Sequence, residues 1–234
     1  MGHAVRGINI AKALREIADC EIIFATNSPF TDIFQKEGFA FIKGGADPIK
    51  LYTAEISHQE YLRQNEEFFM SAITKLSPHI IVFDLLIMPR ILAYIKEKGI
   101  FSVYVLRELS DTKYLSLHRK SLSSFDLTLL TCIDDERFIE NIRKCGFNKD
   151  KFFYIGNIFR KPQAKQIESL KQKYKKRKGE LLVTITAGGG GILNKAHSFF
   201  SGLGIVTKKV ENKFGKKKKD SKKIRWVLVK GPLF

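Results

Sequence analysis

What the chain has little of narrows its class first. Cysteine occurs only three times, at positions 20, 132 and 145. The number is odd and the Cys-x-x-Cys spacing of a zinc or dithiol site is missing, so a disulfide scaffold is excluded and a reduced, cytoplasmic protein is expected. Proline is scarce, 6 in 234 residues, and the 17 glycines are too few for a collagen-like or low-complexity chain. Long apolar runs are missing too. The longest, residues 80–88, is broken by Asp84 and falls far short of the roughly 18–20 residues that span a bilayer. The amino end shows no apolar signal core, and Arg6 stands where a myristoylation signal carries Ser or Thr. Neither an integral nor a lipid-anchored membrane protein is expected. With 44% hydrophobic and 28% charged residues, the composition is instead that of a globular chain, long enough for one large domain or two modest ones.

Acidic residues are lacking in one region only. Residues 1–158 hold 20 Lys and Arg against 20 Asp and Glu, whereas residues 159–234 hold 21 against 4, so the whole net charge of +17 lies in the last third. It clumps at Lys175-Lys176-Arg177-Lys178 and at 216–223. Solvated linkers are the plainest reading of such clumps. Peripheral contact with an anionic membrane is the next, and nucleic acid is not expected as a partner.

The N-terminal two-thirds alternates short β-branched or aromatic runs with amphipathic stretches. Ile8, Ala11, Leu14 and Ile17 recur at helical spacing within 4–18, and strands are expected at 21–26, 39–43, 79–84, 101–106, 126–131 and 152–155. Helices are expected at about 58–76, 89–98, 112–121 and 134–144. Strands that are continuously apolar and alternate with helices predict an α/β fold, a parallel sheet covered on both faces. The strands near 22–26, 80–84, 101–106 and 126–131 are expected to be parallel neighbours in one sheet. After Gly156 a basic helix (162–174) and a charged connector lead to a new strand at 180–186, a glycine run, a helix at 192–200 and a strand at 224–229.

Three groups of residues carry chemistry. The strand ending at Thr186 enters Gly188, Gly189, Gly190 and Gly191 before the expected helix, an arrangement that offers unblocked N–H groups to phosphate. It is neither a P-loop nor a dinucleotide fingerprint. A tight turn also uses glycine, but four in a row exceed what one turn requires. Gly2-His3-Ala4-Val5-Arg6 precedes a helix, and on spacing alone His3 reads as an ordinary exposed histidine. Asp84 ends one apolar strand and Arg107 and Glu108 end another, where open α/β sheets bind their ligands. The remaining histidines show no spacing that suggests a metal site, and none is expected.

Taken together, Gly2–Arg6 leading into Ile10-Ala11-Lys12-Ala13-Leu14-Arg15, the strand His79–Asp84, Leu106-Arg107-Glu108, and Thr186–Gly191 resemble the nucleotide-sugar glycosyltransferases built from two Rossmann-like domains (GT-B). The likeness is greatest to bacterial enzymes akin to the peptidoglycan N-acetylglucosaminyltransferase of family 28, and it covers most of the chain. The resemblance implies an acceptor-side Rossmann-like domain over 1–158, a basic helix and linker over 159–179, and the start of a donor-side domain over 180–234. It implies inverting, metal-independent transfer of a sugar from a nucleotide-diphosphate donor, a co-substrate rather than a cofactor, to an acceptor hydroxyl, including a lipid-linked one. His3 would be the base and Asp84 its partner. Gly2, Arg6, Arg107 and Glu108 would bind acceptor, and Thr186 and Gly188–Gly191 would face the diphosphate. Two other classes are compatible: an epimerase or hydrolase of the same fold, and a non-enzymatic α/β domain whose basic tail binds anionic surfaces. Such enzymes carry a strand before the Gly-His segment and a further base- and ribose-binding segment. A gene fragment with weak or no transfer activity is therefore expected.

Overall fold

The computed structural model describes residues 2–84, 87–107, 113–131, 136–158, 164–175, 177, 180–186, 202–209, 212 and 223–229. The chain divides into two compact units, one of His3–Arg160 and one of Lys161–Phe234 with Met1–Gly2.

The first unit runs α1 (Gly2–Ile17), β1 (Ile23–Thr26), α2 (Asp32–Lys36), β2 (Ala40–Lys43), α3 (Pro48–Tyr52), α4 (His58–Leu76), β3 (Ile80–Asp84), α5 (Pro89–Glu97), β4 (Phe101–Arg107), α6 (Lys113–Leu117), α7 (Arg119–Ser124), β5 (Leu127–Thr131), α8 (Glu136–Lys144) and β6 (Phe152–Tyr154). Local chemistry sets several of these boundaries. Ser57 caps α4 by accepting the Glu60 N–H at 3.1 Å, and Ser77 ends that helix in the left-handed conformation, with φ at 44°. Asp47 caps α3 through the Ile49 N–H, and Pro89 opens α5 where its missing N–H costs nothing. The single helix expected at 112–121 is two short ones, α6 and α7, separated at His118, whose backbone leaves the helical region.

Four strands, in the order β3-β4-β5-β6, form one parallel sheet. Val82 lies opposite Val103, Val103 opposite Leu127, and Leu129 opposite Phe153. Tyr104 and Leu106 of β4 and Leu130 of β5 point to one face and join a core with Ile91 and Ile95 of α5, Leu122 of α7, and Phe138 and Ile142 of α8. Each such side chain, fully buried, contributes on the order of 2 kcal/mol of transfer free energy.

One expectation is corrected. β1 does not belong to this sheet: among the described residues it pairs only with β2, in parallel, as a separate two-stranded sheet. No backbone ladder joins β1 to β3, so the α/β architecture is present but its parallel strands are divided. The small sheet has its own core, in which Ile8 and Ala11 of α1 meet Phe34 and Phe39, with Phe24 and Phe34 stacked at 4.5 Å between ring centroids.

The second unit contains α9 (Ala164–Lys173), β7 (Glu180–Thr186), a helical stretch over 202–209 and β8 (Lys223–Val229). β7 and β8 are parallel, in register from Glu180 opposite Lys223 to Thr186 opposite Val229. Glu180 is buried and would be costly alone. Arg225 lies 3.3 Å from its carboxylate, the Arg177 N–H donates to it, and Arg225 also donates to the Tyr174 and Lys175 carbonyls.

Candidate functional site

The best-defined polar cluster lies at the carboxyl end of β3. Gly2 and His3, expected as a loop ahead of a helix over 4–18, are themselves part of the first turn of α1. The helix puts His3 and Arg6 on one face, three residues apart, and both reach Asp84, the last residue of β3. Arg6 holds the carboxylate with two parallel bonds, Nε to Oδ2 at 3.0 Å and Nη2 to Oδ1. His3 Nδ1 stands 3.1 Å from Asp84 Oδ1 and 3.1 Å from Arg6 Nη2, so it faces one acceptor and one donor. A proton on Nδ1 makes the bond to Asp84 and leaves Nε2 as the lone-pair nitrogen; a bare Nδ1 instead accepts from Arg6.

Burial is graded across this cluster. The Arg6 side chain is 15% exposed, Asp84 21% and His3 60%. Burial alone would push the Asp84 carboxyl up. Hydrogen bonds from His3 and Arg6, with the guanidinium charge, outweigh it and hold the group below the usual carboxylate range. The result is a fixed anion whose exposed partner is an imidazole.

Other expected site residues divide into those placed nearby and those outside the described residues. Arg107 is the last residue of β4, and with Asp84 opposite Val105 its backbone extends two positions further along the same sheet edge. Glu108 lies outside the described residues, as do Gly188, Gly189, Gly190 and Gly191 and the expected helix at 192–200. Thr186 ends β7 in the second unit, opposite Val229.

Two polar groups near the carboxyl edge were not anticipated. Tyr104 is wholly buried, and its hydroxyl lies 2.9 Å from that of Tyr114. Burial pushes its phenol far up, and the Tyr114 contact and the negative charge of Asp84 add to that. The sequence signal was a tyrosine set among Val103, Val105 and Leu106, since a buried phenol needs a partner. Beyond β1, Asn27 donates to Asn65 Oδ1 at 2.9 Å and to the Tyr61 hydroxyl at 3.0 Å, while the fully buried Asn65 donates to the Tyr61 carbonyl. An asparagine on the inward face of α4 was the sign of this clamp.

Comparison with protein-family models and with curated proteins finds no match to this chain.

Among the described residues no group of three His, Cys, Asp or Glu side chains is placed to hold a metal ion. No described helix is long and apolar enough to cross a membrane. What the cluster offers chemically is an exposed imidazole oriented by a charge-neutralised aspartate at the carboxyl edge of a parallel sheet, an arrangement suited to taking a proton from a hydroxyl.

Proposed function

We propose that the protein is a glycosyltransferase that moves a sugar from a nucleotide-diphosphate donor to an acceptor hydroxyl with inversion at the anomeric carbon. The observation that carries this reading is the His3–Asp84 contact at the end of β3, with the imidazole exposed and Arg6 fixing the carboxylate. In the proposed step His3 Nε2 takes the acceptor proton as the acceptor oxygen bonds to the anomeric carbon. The bond from that carbon to the donor diphosphate breaks, and the nucleotide diphosphate leaves with the electron pair. Asp84 stabilises the imidazolium that forms. Arg107, and Glu108 beside it, are the proposed acceptor contacts. Thr186 and Gly188–Gly191 are proposed to present backbone N–H groups to the departing diphosphate, a role that oriented amides perform without a metal. The nucleotide sugar is a co-substrate, and an acceptor linked to a lipid would place the protein at the inner surface of an anionic membrane, where its basic segments also favour it.

The test is turnover of a panel of nucleotide-diphosphate sugars with simple alcohol and lipid-linked acceptors, in the parent chain and in His3→Ala. Loss of the base is expected to lower nucleotide-diphosphate release about a hundredfold or more. Turnover unchanged in His3→Ala, or no calorimetric binding of any nucleotide diphosphate, would overturn the reading.

A further inference from the structure

We propose that Asn27 and Tyr61 form a binding site for a hydroxyl group of an uncharged saccharide, set at the carboxyl end of β1 and separate from the His3–Asp84 cluster. The inference rests on the polarity of one hydrogen-bond relay and is independent of the reaction proposed above.

The relay has a fixed direction because it is anchored on a backbone carbonyl. The Tyr61 carbonyl can only accept, so the Asn65 side-chain atom 2.8 Å from it is the amide nitrogen. Asn65 Oδ1 is then an acceptor, and the Asn27 atom 2.9 Å away is Nδ2. That nitrogen has a second proton, which it donates to the Tyr61 hydroxyl oxygen at 3.0 Å. Each assignment follows from the one before. Neither amide can be turned round without setting two like groups against each other.

Two groups are left unspent. The Tyr61 hydroxyl accepts within the relay and keeps its own proton to give, and Asn27 Oδ1 keeps its lone pairs. Among the described residues no other group bonds either of them, and Asn27 Oδ1 is not sealed from solvent. Asn27 and Tyr61 are half-buried, whereas Asn65, which orients them, is fully buried. A donor and an acceptor therefore stand side by side, joined through one planar amide. A single oxygen that both gives and takes a proton can meet the two together.

Charge excludes other occupants. A carboxylate or phosphate brings only acceptors and would set its lone pairs against Asn27 Oδ1, and an ammonium group brings only donors and leaves the Tyr61 proton unused. Two amides and a phenol supply no countercharge for either. Glu60 and Arg63, charged residues in the first two turns of α4, are bonded to each other. A hydroxyl group gives and takes at one atom, and a saccharide ring presents it on a rigid frame that loses little freedom on binding.

The site is also held in shape before a ligand arrives. Asn27 lies just beyond the carboxyl end of β1, the edge at which parallel sheets take their ligands. The Gly44 N–H bonds the Thr26 carbonyl and ties this end of β1 to the link between β2 and α3. On that link Gly45 passes so close to Asn65 that a Cβ would lie 2.5 Å from Oδ1. Tyr61 and Asn65 are four residues apart on α4 and so share one face of the helix. Strand, link and helix together fix the three side chains, which lowers the cost of binding.

The test is an NMR titration of the full chain with methyl β-glucopyranoside, with N-methylacetamide and sodium acetate as the amide and anionic probes. The backbone amides of 26–28 and 61–65 and the side-chain amide of Asn27 are expected to shift saturably with the glycoside, with a dissociation constant on the order of 10 mM. The other two probes are expected to bind there at least about fivefold more weakly. Tyr61→Phe keeps the ring and loses the donor, and is expected to weaken glycoside binding about fivefold, as is Asn27→Ala, with the amide spectrum of each variant showing that it is folded. No saturable shift in these segments, an equal response to acetate or N-methylacetamide, or an unchanged constant in Tyr61→Phe overturns the proposal. Shifts confined to 3–6 and 84 overturn it too, and leave the reaction proposed above standing, because they place the sugar at the other cluster.

Discussion

Asp84 is the residue on which the candidate site depends, because it is the common partner of a partly buried guanidinium and an exposed imidazole. Its carboxyl is held below the usual range in the folded protein, so the stability it contributes is present above the unfolded value near about 4 and is lost as pH falls through the lower folded value. Asp84→Asn is therefore expected to cost about 2 kcal/mol at pH 7, and less as the pH falls below about 4. Urea denaturation of both proteins at pH 7 and pH 3 checks the sign. The Tyr104–Tyr114 pair makes a second prediction at this scale. Tyr104→Phe leaves the Tyr114 hydroxyl without its partner and is expected to cost about 1 kcal/mol, measured in the same way.

At the scale of elements, the link between β2 and α3 is held against α4 by close backbone approach. Gly45 has φ at 77°, and a Cβ there would lie 2.5 Å from Asn65 Oδ1, the acceptor of the buried clamp. Gly38 has φ at 72° but open space around it. Gly45→Ala therefore combines backbone strain with a clash against a buried amide, and Gly38→Ala adds strain alone. The first is expected to lower stability by about 2 kcal/mol or more and the second by about 1 kcal/mol, a difference that thermal melts of the two variants resolve. The strands themselves were legible as apolar runs, and so were α4 and α5 as periodic ones. The short helices α2 and α3 were not, because 5 residues are too few to show a helical period and the Asp47 cap is visible only once its acceptor geometry is known.

At the scale of the molecule, charge is the dominant asymmetry: all of the net +17 lies in residues 159–234. Binding to anionic vesicles is expected to fall steeply between low and physiological salt, and replacing Lys216–Lys219 with Gln is expected to weaken it. Vesicle co-sedimentation across a salt series checks both, with zwitterionic vesicles as the control.

The sequence by itself determined the α/β class, the position of most strands and the placing of Asp84 and Arg107 at strand ends, because apolar runs and their first charged residues are local properties of the chain. It did not reveal that β1 and β2 stand apart from β3–β6, since strand neighbourhood depends on which backbone edges meet, and one residue sequence is compatible with several orders. Nor did it show that the helix begins at Gly2, or that His3 and Arg6 share one carboxylate, 81 and 78 residues away respectively. On spacing alone His3 was an ordinary terminal histidine. Only the tertiary structure, by laying α1 along the end of β3, made it the exposed partner of a partly buried anion.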